Sequence, residues 1–167
     1  MKHTTKSNLE AAFAGESQAH MKYLIYSEKA AREGFPQIAK LFKAIAYAEK
    51  VHATNHLRLL EKINNTATNL TDAAGGENYE VAEMYPAFDA VARLQDEKGA
   101  LKSFHYAIEA EKIHEEMYMK AKELVLQGKD ISAADVYVCP VCGHTVIGEA
   151  PDKCPVCGVA KDKYEKF

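Results

Sequence analysis

Four cysteines near the end of the chain have the spacing of a metal site. They occur in two Cys-Pro-Val-Cys-Gly motifs separated by eleven residues, in the order Cys139, Cys142, Cys154 and Cys157. Two such thiolate pairs can surround one tetrahedral ion, and the glycine after each pair frees the backbone to turn its amide groups toward sulfur. The spacing alone does not separate zinc from iron, so both metals remain candidates.

A second group of potential ligands consists of two Glu-x-x-His pairs in matching contexts. Ala-Glu-Lys-Val-His at 48–52 recurs as Ala-Glu-Lys-Ile-His at 110–114, which is 62 residues later. Glutamate and histidine three residues apart on a helix lie on one face, about one turn apart. One pair alone would be read as a solvated helix face. The recurrence instead indicates a duplicated helical hairpin with a ligand pair in each half.

The elements that must position these pairs are four predicted helices. Apolar residues recur at helical spacing, and breaks in the pattern give helices at about 5–33, 36–63, 77–96 and 98–127, with a polar loop at 64–76. We expect a capping box at 7–10, while Gly34 ends the first helix and Pro36 opens the second. Pro86 lies inside the third helix and predicts a kink or a loosened turn.

Glutamates interrupt the apolar stripes of these helices. A lone ionised carboxylate in a core costs several kcal/mol, so several together require compensating positive charge. If the four helices pair as two antiparallel hairpins, the candidate ligands lie at similar distances from the hairpin turns. Their positions along the helix axes differ by roughly 10 Å at most, at ~1.5 Å per residue. These candidate ligands are Glu16, Glu49, His52, Glu77, Glu80, Glu111 and His114. Oxygen-rich ligands with a few imidazoles favour iron or manganese, so the pattern predicts a two-metal site.

Composition excludes several classes of function. The 167-residue chain has 21 Lys and Arg against 24 Asp and Glu, so no basic surface indicates nucleic acid or anionic lipid as a partner. No apolar run is long enough to span a membrane, and the start lacks the apolar segment of a secretory signal. We therefore predict a cytoplasmic protein with reduced, metal-binding cysteines. Their concentration after residue 130 predicts two domains, 1–130 and 135–167.

Taken together, these motifs resemble the rubrerythrin family over nearly the whole chain. The resemblance rests on Gly15-Glu16-Ser17 with Tyr23, both Glu-x-x-His pairs, Gly76-Glu77-x-x-Glu80, Met84-Tyr85-Pro86 and both cysteine motifs. It implies an all-α, ferritin-like four-helix bundle followed by a small rubredoxin-like domain with an Fe(Cys)4 site. The implied function is a non-haem di-iron peroxidase that reduces hydrogen peroxide to water. Its electrons would come from rubredoxin or an NAD(P)H-dependent reductase through the cysteine-bound iron.

The resemblance also implies a role for most of the carboxylate ligands. Glu49 and Glu111 would bridge the two irons. Glu16 would bind the first iron, and Glu77 and His114 would bind the second.

Further roles and a partner follow from the same resemblance. Glu80 would bind the first iron when it is oxidised, and His52 would replace Glu80 on reduction. Tyr23 and Tyr85 would donate hydrogen bonds to the ligating carboxylates. The protein would be a homodimer in which the cysteine-bound iron reduces the di-iron pair of the partner subunit. A short spacer between the second and third helices leaves helix exchange between subunits open.

Two alternatives from other classes also remain open. A ferritin-like ferroxidase or iron-handling protein would share the helices but would not need the four cysteines. A zinc-ribbon interaction module on an inert helical bundle would not need glutamates gathered at one height.

Overall fold

The computed structural model describes all 167 residues as two compact units, Met1–Asn64 and Asn65–Phe167. The first unit contains α1 (His3–Arg32) and α2 (Pro36–Leu59). The second contains α3 (Thr66–Tyr79), a π-helical turn (Glu80–Met84), α4 (Tyr85–Leu94), α5 (Lys98–Leu126) and a cysteine-bearing module. These helices and the appended module confirm the predicted fold class. The domain bounds 1–130 and 135–167 stay a prediction.

Small side chains form the interface of the α1–α2 hairpin. Ala39, Ala46 and Ala53 recur every seven residues on α2 and are all buried, because that spacing keeps them on one helix face. Two polar side chains of α1 bind backbone carbonyls of α2. His20 Nδ1 lies 2.7 Å from the Ala46 oxygen, and the Ser27 hydroxyl donates to the Ala39 oxygen at 2.8 Å. These contacts fix the register of the hairpin.

A second apolar face of the α1–α2 hairpin is open. Ile38, Leu41 and Ile45 have exposed fractions of 48%, 57% and 42%, and Met21 and Ile25 of α1 are also more than half exposed. Apolar residues at this spacing on a helix are typical of a face that packs against other helices. Nothing within Met1–Asn64 covers this face.

The structure confirms the predicted end of α1 but not its predicted start. Gly34, with φ of +82°, ends α1, and Pro36 occupies the first turn of α2, as predicted. The predicted capping box at 7–10 is wrong, because α1 already begins at His3. No glycine or proline stops the helix from extending by that extra turn, so Ser7 lies inside it.

The polar segment at 64–76 is helical, so the predicted loop is wrong. Asn65 caps α3, and its side-chain oxygen accepts a hydrogen bond from the Thr68 N–H at 2.9 Å. Ala74 is buried. The adjacent glycines at 75–76 cost roughly 1 kcal/mol each in a helix, but packing against α5 supplies the stability that propensity lacks.

The π-helical turn explains how a helix accommodates Pro86. The Tyr85 N–H donates to the Glu80 carbonyl five residues earlier, which widens the turn. Pro86 then follows the widened turn as the second residue of α4, where the local change in hydrogen bonding accommodates a residue without an N–H donor. The loosened turn predicted from the sequence is therefore present, and Glu80 is its first residue.

The cysteine module is a three-stranded antiparallel sheet with two knuckle loops. Its strand order is β2-β1-β3, with β1 at Val136–Val138, β2 at Thr145–Ile147 and β3 at Glu165–Lys166. The buried cluster of the module consists of Cys139, Cys142, Cys154, Ala150 and Tyr164, and Tyr106 of α5 packs against it. Across the whole chain, no helix is both long and apolar enough to cross a bilayer.

Candidate metal centres

The α1–α2 hairpin brings three of the candidate ligands together. The ligand atoms of Glu16, Glu49 and His52 lie within 4.8 Å of one another. His52 Nδ1 lies 3.0 Å from Glu49 Oε2 and 3.9 Å from Glu16 Oε2. Two carboxylates and an imidazole at this separation can bind one cation. We call these three residues the first triad.

A hydrogen bond couples the two carboxyl groups of the first triad. It raises the pKa of Glu16, and burial adds to the effect. Hydrogen bonds from Glu16 and His52 lower the pKa of Glu49. Because a metal needs deprotonated ligands, protons compete with a cation more strongly at Glu16 than at Glu49.

The second unit repeats the arrangement with Glu77, Glu111 and His114, the second triad. Its ligand atoms also lie within 4.8 Å of one another, and His114 Nδ1 lies 2.6 Å from Glu111 Oε2. Burial, together with the negative charge of Glu111, raises the pKa of Glu77 from its ordinary value of 4.5 to about 7. An uncompensated carboxylate is therefore unfavourable here, as expected of a site that binds a cation.

Glu80 lies beside the second triad rather than within it. Burial and the charge of Glu111 raise the pKa of Glu80, and the charge of Glu80 in turn contributes to the raised pKa of Glu77. The π-helical turn thus places the Glu80 carboxyl group close to the second triad, without a hydrogen bond to any of its three residues.

An aromatic cluster accompanies each triad and repeats at the same 62-residue offset. The first cluster is Tyr23, Tyr26 and Phe42, and the second is Tyr85, Phe88 and Phe104. Ring centroids of the first and third members lie 6.2 Å apart in one cluster and 5.8 Å apart in the other. The duplication predicted from the glutamate and histidine motifs therefore extends to the packing behind them.

The Tyr85 hydroxyl is held in its protonated form. Burial raises the pKa of Tyr85, and the charges of Glu80, Glu111 and Glu77 raise it further. A hydroxyl that stays protonated near carboxylates can donate hydrogen bonds to them.

The four cysteines form a third group of ligands. Their sulfur atoms lie within 4.8 Å of one another, with Sγ–Sγ distances of 3.5 Å for Cys139–Cys157 and 3.4 Å for Cys142–Cys154. A disulfide would require about 2.05 Å. Four thiolates about 2.3 Å from one tetrahedral ion would lie about 3.8 Å apart, so the observed spacing suits a metal.

Sequence reasoning missed two residues that shape the cysteine site. Burial opposes ionisation of the Cys154 thiol, but hydrogen bonds from the Tyr164 hydroxyl and from backbone amides lower its pKa to about 6. Tyr164 is itself buried, and its hydroxyl lies 3.0 Å from Nδ1 of the buried His144. The only available signal was an aromatic residue and a histidine in a module with few large apolar side chains.

Thr145 of β2 is a third residue that the sequence did not reveal. Its hydroxyl group donates a hydrogen bond to the Gly143 carbonyl at 2.9 Å, and the hydroxyl oxygen lies 2.8 Å from His114 Nε2. No motif identifies this residue, because the contact joins two segments that are 31 residues apart.

These three ligand groups fit their metals by donor type. The triads offer carboxylate and imidazole, which suit iron and manganese, and the module offers four thiolates, which suit iron or zinc. A helical, carboxylate-rich metal site joined to a thiolate site defines a class of non-haem iron proteins. Comparison with known proteins narrows that class to a family.

Two family models match the chain. The model described as Rubrerythrin matches residues 7–122, and the model described as "Rubrerythrin, rubredoxin-like domain" matches residues 137–165. The chain therefore belongs to the rubrerythrin family of iron-dependent oxidoreductases. The carboxylate and histidine ligand groups of the family's di-iron site and its four-cysteine knuckle site are both present.

Characterised relatives resemble the chain over almost its full length. Rubrerythrin-2 of Clostridium acetobutylicum is 44% identical over 98% of this chain and 96% of the relative. Nigerythrin of Nitratidesulfovibrio vulgaris is 35% identical over 98% of this chain and 87% of the relative. A solved structure of nigerythrin in its fully reduced, all-ferrous state aligns with a TM-score of 0.58 at 34% identity, covering 98% of this chain and 86% of that one.

Proposed function

We propose that this protein reduces hydrogen peroxide to water at a di-iron centre, with electrons that enter through an Fe(Cys)4 site. One observation carries the proposal. The cysteine module lies directly against α5, the helix that contributes Glu111 and His114. Gly143 of the first knuckle would place a Cβ only 3.5 Å from that of the buried Ala110, one helical turn before His114. A thiolate site and carboxylate ligands of the same chain in such contact suit electron transfer between them, whereas the resemblance implies transfer to the di-iron pair of a partner subunit.

The ligand roles follow the assignment expected for the family. Glu49 and Glu111 would be shared by the two irons, Glu16 would hold the first iron, and Glu77 and His114 would hold the second. When bound, a ferrous pair would supply the two electrons of the reaction, H2O2 + 2e⁻ + 2H⁺ → 2H2O. With a pKa of about 7, the Glu77 carboxyl is partly protonated near neutral pH and would lose that proton when metal binds.

Protons and hydrogen bonds come from groups next to the ligands. The raised pKa of Glu80 keeps a larger fraction of this carboxyl protonated than is usual for glutamate. The Tyr85 hydroxyl stays protonated and orients the carboxylates by donating to them. Glu80 would hold the first iron when it is ferric and His52 would replace Glu80 when it is ferrous, because a ferric ion gains more from a carboxylate than from a neutral imidazole.

A homodimer covers the open apolar face of the first unit. Ile38, Leu41 and Ile45 form a contiguous exposed row on α2, and such rows are typical of interfaces. Light scattering should give twice the 18.5 kDa mass of the chain, and Leu41→Glu should shift the protein toward the monomer. A wild-type protein that stays monomeric would exclude the dimer.

Mixed dimers decide whether helices are exchanged. A Glu49→Ala chain and a Glu111→Ala chain are each expected to be inactive. If the partner supplies residues 1–64 of each centre, a mixed dimer contains one intact centre and regains up to half of the activity. Without exchange, both centres carry a lesion and the mixture stays inactive.

The central experiment follows the colour of the cysteine-bound iron. The iron-loaded protein, reduced anaerobically, should regain the ferric absorption when hydrogen peroxide is added. Glu111→Ala should prevent this reoxidation while leaving the ferric spectrum of the cysteine site intact. Equal reoxidation rates in the variant would exclude electron transfer through the carboxylate site. Coupling to NAD(P)H, through rubredoxin or a reductase, is tested by adding those components. The cytoplasmic location stays a prediction.

A further inference from the structure

The two triads differ in how their histidines are held. His52 has hydrogen-bond contact through Nδ1 alone, toward Glu49, and its side chain is 55% exposed. His114 makes the equivalent contact with Glu111, but its other ring nitrogen lies 2.8 Å from the Thr145 hydroxyl, and its side chain is 26% exposed. Within the second unit, the cysteine module therefore touches the triad through His114.

The hydroxyl of Thr145 fixes the direction of that contact. Because it donates to the Gly143 carbonyl, its oxygen is left to accept a hydrogen bond from His114 Nε2. His114 therefore donates from Nε2, which leaves Nδ1 as the nitrogen that can bind a metal. Without metal, a proton lies between Nδ1 and Glu111 Oε2, 2.6 Å away, and a metal would replace that proton. Ligating histidines commonly depend on such a partner for tautomer and ring orientation.

The partner belongs to a segment whose fold depends on metal. Thr145 follows the first knuckle by two residues and opens β2, in a module of about thirty residues that is too small to form a sufficient core without its metal. The side chains around the contact are mostly apolar, and they line a 370 Å³ pocket that includes Leu70, Tyr118 and Ile147. Few other polar side chains of this pocket therefore compete with Thr145 for His114 Nε2.

We propose that Thr145 is a positioning residue that couples the two kinds of metal site. Metal at the four cysteines orders β2, β2 places the Thr145 hydroxyl, and the hydroxyl orients His114 for metal binding. The carboxylate site of the second unit thus gains affinity once the cysteine site is filled. This inference rests on the proposed role of His114 as a ligand, but it does not depend on peroxide chemistry.

Manganese binding tests the coupling without turnover. Mn(II) prefers carboxylates to thiolates, and electron paramagnetic resonance measures the free ion. The experiment uses the double variant Glu16→Gln and His52→Ala, in which the second triad is the remaining carboxylate site. One equivalent of zinc in the cysteine site should tighten Mn(II) binding by about 10- to 100-fold, the usual effect of a partner to a ligating histidine. No binding with or without zinc would exclude the ligand role itself, whereas equal binding in both states would exclude only the coupling.

Variants of Thr145 identify the residue responsible. Thr145→Val should remove the zinc-dependent gain, and Thr145→Ser should restore it. Thr71→Val is the matched control and should keep the gain, because the Thr71 hydroxyl donates only to the Ala67 carbonyl on exposed α3. ¹⁵N spectra of the zinc-loaded protein should show a hydrogen-bonded Nε2–H of His114 in the wild type, and Thr145→Val should lose this signal. A full gain in affinity or an unchanged Nε2–H signal in Thr145→Val would overturn the proposal. If this variant fails to bind zinc, Thr145→Ala replaces it under the same criteria.

Discussion

Two helical hairpins of one chain carry nearly the same metal-binding motif in different surroundings. The segment that ends in His52 and the segment that ends in His114 differ at a single position, Val51 against Ile113. Yet His52 is exposed, with hydrogen-bond contact through one ring nitrogen, whereas His114 is part-buried and contacts partners through both. Duplication therefore supplied two equal ligand pairs, and the environment gave one histidine a second hydrogen-bond partner and left the other more exposed.

The difference extends along the helix. Tyr106, Ala110 and His114 lie four residues apart on α5 and meet the cysteine module. The equivalent positions 62 residues earlier are Ala44, Ala48 and His52, where no module is attached. A histidine without a second partner is the better candidate for a ligand that leaves and returns, and an anchored histidine for one that stays bound.

The largest expected effect on turnover comes from removing one ligand of the cysteine site. Cys142→Ser should reduce NAD(P)H-coupled peroxide turnover to the level of a protein-free control, because the Fe(Cys)4 site loses a ligand. Circular dichroism should show unchanged helical content, because the four cysteines all lie outside the helices. Full turnover with three cysteines would place the electron entry elsewhere.

Removing His52 or Glu80, the two ligands of the proposed exchange, should change the affinities for ferrous and ferric iron by different amounts. His52→Ala should weaken ferrous binding by about 10- to 100-fold while affecting ferric binding less, and Glu80→Ala should do the reverse. Chelator competition measures both affinities. Crystals of the oxidised and reduced protein with one unchanged ligand set would exclude the exchange, although a di-iron peroxidase with fixed ligands would survive that result.

The tyrosines provide a smaller contrast between the hairpins. Tyr85→Phe should lower turnover by about tenfold, the lower end for groups that orient metal ligands, because its hydroxyl lies near three carboxylates. Tyr23→Phe, in the equivalent aromatic cluster, is the matched variant for the first hairpin. Steady-state kinetics of both variants would show whether the tyrosines contribute equally, and no change in Tyr85→Phe would remove the tyrosine from the mechanism.

The smallest effect is on the stability of the metal-free protein. The pKa of Glu77 is about 7 in the folded chain against an ordinary 4.5, so between these values the folded state binds more protons than the unfolded state. Stability therefore falls as pH rises toward 7 and levels off above it. We expect the melting temperature to drop by a few degrees from pH 5 to pH 8. Glu77→Gln should flatten this decline, and a wild-type melting temperature that is constant with pH would contradict the shift.

Much of the metal chemistry was readable from the sequence because its signals are local. Two cysteine pairs form knuckles within a few residues, and a glutamate three residues before a histidine shares its helix face. Turn positions at Gly34 and Pro36 set which residues face each other in an antiparallel hairpin. All six triad residues are among the seven candidate ligands that the sequence indicated, although their division into two triads was not predicted.

Tertiary structure decided what local rules do not encode. Packing against α5 made a helix of the polar segment at 64–76, and a π-helical turn reconciled Pro86 with the helix that carries Glu80. The partners of His114, Cys154 and His144 depend on segments brought together from far along the chain. The sequence by itself determined which side chains can bind metal, because ligand spacing is a property of short segments. Only the folded chain decided which histidine is anchored, because that depends on a hydroxyl 31 residues away.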